Sequence, residues 1–320
     1  MFPALRVCLG SSGVSKCGAA IRICGAFPDR GPVPDGNNHN RFSGFGKILT
    51  EPGAAGLFHV RERGASWMEA AVDVTGTADA ATRWLVVCDH ASNALPPQWG
   101  DLGLTPEARV AHIAWDPGAL GVARALARHL HAPLVAARVS RLVYDLNRPP
   151  HAPSAMAETS DLWQIPGNRD LAPAGRLERT EAVYLPFHTA LASATARALA
   201  LGAHPAIVTV HSFTPIWNGR PREVELGVIH DRDPALAEAV TEVARRRTGF
   251  RVALNEPYSA ADGVTHTLAL HATPYRLPNV MIEIRNDLIA DAAAQEAVAR
   301  DLAGVLDEAL SGLTARERST

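Results

Sequence analysis

Apolar positions along the chain fall into short, β-branched runs separated by longer stretches rich in Ala and Leu. Trp84-Leu-Val-Val-Cys-Asp89, Leu134–Arg138, Ala206-Ile-Val-Thr-Val-His211, Val224–Ile229 and residues 279–285 read as strands. Runs of this kind, apolar at successive positions, mark strands buried on both faces. Between them lie helical patterns. Thr105-Pro106-Glu begins a helix, with Thr105 as N-cap and Pro106 at the first helical position. Residues 119–131, 177–203, 234–249 and about 290–311 continue the series, and Arg245-Arg-Arg places cations at a helix C-terminus, where the dipole favours them. Residues 151–176 and 251–278 read as irregular. Strands alternating with helices predict an α/β fold with a largely parallel sheet covered on both faces.

Residues 1–75 lack this order. They contain Gly-Ser-Ser-Gly and Pro32-Val-Pro-Asp-Gly-Asn-Asn-His-Asn40 and hold no sustained period. The expectation is a disordered N-terminal extension, or a mis-annotated one with translation starting at Met68, ahead of one domain over 76–315. Gly and Ser break any signal-peptide core in Met1–Ala20, while the lack of acidic residues before Asp29 leaves a transit peptide open.

Composition narrows the class. With 47% hydrophobic and 20% charged residues, the 320-residue chain is ordinary for a soluble globular protein. A net charge of −2 gives no reason to expect nucleic acid or an anionic membrane as partner. Three of the four cysteines (Cys8, Cys17, Cys24) precede residue 25 without histidines at zinc-finger spacing, and Cys88 falls in a buried strand. No disulfide framework is expected, which favours a reducing, cytoplasmic compartment. Oligomeric state is not legible.

Candidate chemistry sits where the strands stop. His90 and His211 each end a strand and are followed by a small residue, Ala91 or Ser212. Two neutral imidazoles and a carboxylate, with one position open, make a catalytic metal site. No HExxH helix is present, so the third ligand must come from elsewhere; Asp116 is the first choice, with Asp89 and Asn93 as alternatives. Two hydrogen-bonded histidines capping strand ends are the competing reading. Glu283 and Arg285 lie two apart on a strand and share a face, as a general base beside a metal-held water or as a structural pair. Arg141, Asn147 and Arg148 offer donors for an anionic small substrate, or else are turn residues before Pro149. His112, His188, His230, Arg222 and His271 are scattered polar positions, of which His271 is retained as a substrate contact.

Five motifs in order, Cys-Asp-His90-Ala-Ser-Asn93, Trp115-Asp116-Pro-Gly-Ala, Ser-Arg141-Leu-Val-Tyr-Asp-Leu-Asn147-Arg148-Pro, Val-His211-Ser-Phe-Thr-Pro and Ile-Glu283-Ile-Arg285-Asn-Asp-Leu, resemble the N-formylglutamate amidohydrolase family over about 70–310. The resemblance implies a fold similar to the zinc carboxypeptidases and phosphorylase/hydrolase-like proteins, with a mixed, mainly parallel sheet sandwiched between helices. It implies His90 and His211 as metal ligands, zinc or another divalent ion as cofactor, and Glu283 as general base, with Asp116 the simplest third ligand. It also implies Asn147 and Arg148 holding a substrate carboxylate, with Arg141 polarising the carbonyl or binding the same carboxylate; Arg285 and His271 are further candidate substrate contacts. This chain departs from the carboxypeptidase His-x-x-Glu pattern, since Asn93 stands where the Glu would be. The implied substrate is a small anionic N-acyl amino acid, best N-formyl-L-glutamate. A zinc amidase or peptidase for other N-acyl amino acids or cell-wall-type peptides is the alternative, and a carboxylate-binding protein without metal is the non-enzyme alternative.

Overall fold

Seven strands form the central sheet of the protein, a computed structural model in which residues 71–317 are described. In chain order they are β1 (Val72–Thr75), β2 (Trp84–Cys88), β3 (Leu134–Ala137), β4 (Ala206–Phe213), β5 (Leu226–Ile229), β6 (Val252–Leu254) and β7 (Asn279–Arg285). Their spatial order is β1-β3-β2-β4-β7-β5-β6. The centre, β3-β2-β4-β7, is parallel. β1 runs antiparallel to β3, β5 runs antiparallel to β7, and β6 follows β5. The sheet is therefore mixed and mostly parallel. Every residue of β2, β3, β4 and β5 is buried, as their largely apolar runs require.

Helices cover both faces. α1 (Pro106–Val110) is short, and the Thr105 side chain caps it by accepting from the Ala108 amide. α2 (Ala119–His129), α5 (Ala235–Arg247) and α7 (Ala292–Glu317) pack together on one face. α3 (Pro173–Arg179), α4 (Leu185–Ala200) and α6 (His266–His271) belong to the other side, where α4 meets β1 and β3 and α6 meets β4 and β7. Gly118 starts α2 at φ 82°, and a Cβ there would stand 2.5 Å from the Ile289 carbonyl oxygen, so Asp116-Pro-Gly is a turn that only glycine completes.

Several boundaries differ from the sequence reading. Residues 72–75, expected in the extension, form an edge strand hydrogen-bonded to β3. The helix expected over 177–203 begins earlier and is interrupted by a π-turn at Thr180–Tyr184. Within 251–278, expected as loop, lie β6 and α6. β4 does not stop at His211 but continues to Phe213, because β7 pairs with it to Arg285↔Phe213. Its other neighbour, β2, pairs only to Val87↔Thr209. His211 is therefore strand-held on one side and open on the other, next to the turn that carries Asp89 and His90. Met68 and Cys8, Cys17 and Cys24 lie outside the described residues.

Candidate metal centre

Asp89 and His90 follow the last residue of β2, and His211 stands beside them on β4. All three are buried, and one ligand atom from each lies within 4.8 Å of the others. Asp89 Oδ1, His90 Nδ1 and His211 Nε2 have no hydrogen-bond partner among the described residues. Buried polar atoms are rarely left so. His211 Nε2 stands 3.0 Å from Asp89 Oδ1, without the alignment of a hydrogen bond. Two ligands about 2.0–2.1 Å from a shared tetrahedral ion lie roughly 3.3 Å apart. Three orphaned, convergent donor atoms of N and O type suit a divalent cation, and this Asp-His-His group can hold one.

The remaining atoms of these side chains are held from behind. His211 Nδ1 meets Asp116 Oδ2 at 2.9 Å, and His90 Nε2 meets Asp145 Oδ1 at 2.7 Å. Asp89 Oδ2 accepts from Thr267 Oγ1 at 2.7 Å. A carboxylate behind an imidazole fixes its tautomer and turns the other nitrogen toward a metal. Asp116 is itself fixed: its amide donates to the His90 carbonyl, Oδ2 also accepts from the Ser212 amide, and Oδ1 from Arg141. Asp145 Oδ2 accepts from Arg141 at 2.7 Å, and its Oδ1 also accepts from the Asn147 amide. Thus the structure gives Asp116, first choice as third ligand, a place behind His211, and presents Asp89 with the free oxygen. Asn93 points elsewhere, donating to the Arg109 carbonyl.

Electrostatics follow from this packing. Burial pushes Asp89 upward, but His211 and His90 outweigh it and hold the carboxyl below its usual range. Burial likewise opposes ionisation of Asp116 and Asp145; the histidines, and for Asp145 first of all Arg141, hold both low. Burial works to lower His211, yet Asp89 and Asp116 keep it well above the ordinary imidazole value. Glu283 behaves oppositely. Burial pushes its carboxyl up to about 7, with His211 opposing and Asp116 assisting, and Oε2 has no partner among the described residues. Register explains its isolation: Glu283 lies opposite His211 on one side and Gly227 on the other.

These groups open into a cavity of about 170 Å³ lined by His90, Asp116, Arg141, Asn147, Arg148, His211 and Glu283, among others. Arg148 spends NH1 on the carbonyls of Asn147 and Gly263 and pairs with no carboxylate among the described residues. Asn147 is buried, its amide used by the Thr267 amide and the Val264 carbonyl. Two expected substrate contacts do not line this cavity. His271 is buried against His188, which it meets through Nε2 at 2.8 Å. Burial, helped by the neighbouring His266, holds it down at about 4. Arg285, the last residue of β7, binds Asp287, Glu225 and the Arg222 carbonyl.

The profile of one family, N-formylglutamate amidohydrolase, matches residues 82–290, more than half of the chain. The chain belongs to the N-formylglutamate amidohydrolase family. It is a hydrolase of amide C–N bonds. Among solved structures it is similar to a gene product of Agrobacterium tumefaciens, at 49% identity and a TM-score of 0.75, over 78% of this chain and 98% of that one. It also resembles the fold of the N-formylglutamate amidohydrolase from Ralstonia eutropha, at 21% identity and a TM-score of 0.55, over 78% of this chain and all (100%) of that one. None of the curated proteins compared with the chain matches it.

In this amidohydrolase several residues at the site went unread in the sequence. Asp145, which backs His90 without lining the cavity, had a signal, since it stands four residues after Arg141, but that spacing also describes an ordinary helical ion pair. Ser160 and Asp161 reach the cavity from a two-strand ribbon (Thr159–Ser160 with Trp163–Gln164) inside the stretch read as irregular. Tyr258 comes from the loop after β6. Loops deliver these residues, and no periodicity marks them.

Proposed function

We propose that this protein hydrolyses N-acyl amino acids with the help of a divalent metal, and that N-formyl-L-glutamate, giving formate and L-glutamate, is its substrate. The observation that supports this most is the convergence of three unpartnered ligand atoms, on Asp89, His90 and His211, beside a buried Glu283. Asp89, His90 and His211 are the ligands in this reading, and Asp116 and Asp145 orient the two imidazoles. Zinc suits two imidazoles and a carboxylate, and the bound ion would polarise the acyl carbonyl and acidify a water.

The chain's own residues do the rest. Arg148, which pairs with no carboxylate among the described residues, holds the substrate α-carboxylate, and Asn147 sets the loop that carries it. Arg141, pinned by Asp116 and Asp145, turns the remainder of its guanidinium toward the carbonyl oxygen and stabilises the charge that grows there. Glu283 takes a proton from the attacking water as the new C–O bond forms at the formyl carbon. It returns that proton to the amide nitrogen as the C–N bond breaks, so formate and the free amine leave. A carboxyl poised near neutrality suits both transfers.

Metal content and formate release from N-formyl-L-glutamate, measured on one preparation of the full-length chain, test the reading. About one ion per chain with chelator-sensitive formate release is expected. Metal without formate release sends the search to other N-acyl amino acids and peptides. Neither metal nor turnover after reconstitution would mean that the buried histidines are structural.

A further inference from the structure

Two buried histidines, His188 on α4 and His271 on α6, have no part in the chemistry assigned so far. His188 Nε2 meets the Leu146 carbonyl at 3.0 Å, and His188 Nδ1 meets His271 Nε2 at 2.8 Å. A carbonyl only accepts, so His188 Nε2 carries the proton. Its bare Nδ1 then accepts from His271 Nε2–H. Burial, assisted by His271, lowers His188 to about 3, so at neutral pH both rings are uncharged, as this pattern requires. The ring planes differ by 10° and the centres stand 5.1 Å apart. With the facing nitrogens at 2.8 Å, the imidazoles lie edge to edge, as a straight N–H···N bond needs.

These bonds close a ring. Leu146 is followed by Asn147, whose Oδ1 accepts from the Thr267 amide at 3.0 Å. Thr267 stands four residues before His271, on the same face of α6. From His271 the path returns to His188. Both arms of the ring reach the metal centre. Thr267 Oγ1 donates to Asp89 Oδ2, and Asp145, the residue before Leu146, meets His90 Nε2. An apolar pair of similar volume would pack α4 against α6 about as stably, since neither side chain would then need a partner. It would not hold a loop carbonyl and a helix at a fixed distance from each other, which a fully satisfied buried network does.

We infer that His188 and His271 are positioning residues, which hold the loop of Asp145–Arg148 and the helix of Thr267 in the arrangement that makes the ligand atoms of Asp89 and His90 converge. This rests on the reading of Asp89, His90 and His211 as the metal ligands of a hydrolase. Neither histidine lines the cavity, so both act through the residues they hold. A pair that merely packed two helices would change folding stability and leave the metal affinity of the folded protein as it was.

Zinc affinity of full-length His188 variants, from chelator competition well below their melting temperatures, separates the two roles. His188→Leu removes both bonds and should weaken zinc binding by roughly 10–100-fold, the range for groups that orient ligands. A glutamine amide reaches the place of Nε2 and an asparagine amide that of Nδ1. His188→Gln therefore keeps the Leu146 bond and His188→Asn the His271 bond, and each should recover part of the loss. Coupling is reciprocal, so in the wild type zinc should slow solvent exchange of the His271 Nε2 proton, followed by NMR of histidine-labelled protein, by about tenfold or more. That measurement needs no variant and stands even if His188→Leu fails to fold. Folded His188→Leu within about threefold of wild-type affinity, Gln and Asn variants no better than Leu, or an exchange rate indifferent to zinc would each overturn the inference. Formate release that persists alongside such a result would leave the hydrolytic reading intact. Zinc affinity that responds as expected, without formate release from N-formyl-L-glutamate, would sink that reading and leave the positioning role standing. A wild type that binds no zinc would overturn both.

Discussion

Replacing Asp89 and Asp116 separately by Asn separates a ligand from the group that orients one. Asp116 Oδ2 holds two donors, His211 Nδ1 and the Ser212 amide, while Oδ1 faces Arg141. In Asp116→Asn the amide oxygen can still accept from His211. Its NH2 is then forced against Arg141, and the charge that strengthened the histidine bond is gone. Charge-assisted hydrogen bonds are about twice as strong as neutral ones, and outer-shell carboxylates contribute roughly 10–100-fold to metal affinity. That is about 1.4–2.7 kcal/mol. Asp89→Asn instead removes the unpartnered oxygen 3.0 Å from His211 Nε2. Thr267 still has an acceptor in the amide, so the chain should fold, but stoichiometric metal should not survive dialysis. Chelator competition on both variants, with thermal melts of the metal-free proteins as a folding control, gives the comparison. If Asp89→Asn keeps wild-type affinity and Asp116→Asn loses its metal, the ligand assignment is reversed and the argument from orphaned atoms fails.

Glu283→Gln should keep its metal and lose roughly 10²–10⁴ in turnover; near-full activity would remove Glu283 from the proton path. In the metal-free protein the same residue makes stability depend on pH. Its folded pKa of about 7 lies above the ordinary 4.5, so the stability owed to its neutral form is complete below pH 4.5 and is lost as pH rises through 7. Relative to wild type, Glu283→Gln should therefore gain nothing near pH 4 and about 3 kcal/mol above pH 7; a difference flat with pH in denaturant titrations would contradict this. Gly227→Ala should destabilise by about 1–3 kcal/mol in the same assay, since the new Cβ would stand 2.1 Å from the Glu256 carbonyl oxygen and 3.1 Å from the Glu283 Cβ. Unchanged stability would mean that this wall gives way easily.

The parallel centre of the sheet was legible because its strands are buried on both faces and must be apolar throughout. That constraint writes itself into residues 84–88 and 134–137 without interruption, and into 206–210 with only Thr209 intervening. The edges were not legible. Only the first of β1's four residues is buried and the last two are exposed, and all three residues of β6 are only half-buried. So little burial leaves no continuous apolar run. Strand direction was hidden too: β5 looks like the parallel strands and runs antiparallel to β7. Direction is set by the connections, and a burial pattern does not record it.

The site was legible as a set of residues and not as an arrangement. His90, Asp116, Arg141, Asn147, Arg148, His211 and Glu283 do line one cavity. What the sequence could not distinguish is which carboxylate faces the centre, because Asp89 and Asp116 are both buried acids in turns within reach of the same imidazole. The difference lies in what satisfies their oxygens. Asp116 is used twice on one oxygen and once on the other, by a histidine and a backbone amide of β4 and by an arginine from a second segment. Asp89 has one oxygen taken by Thr267, from a helix that lay in the stretch read as loop, and one left over. Partner counts of this kind belong to tertiary structure. The same holds for Arg285 and Arg222: Arg285 shares a face with Glu283 by strand period, yet sheet pairing ends there and the side chain turns to Glu225 and Asp287. In doing so it fixes the carbonyl of Arg222, a residue that no motif marked and that three cavity rings surround.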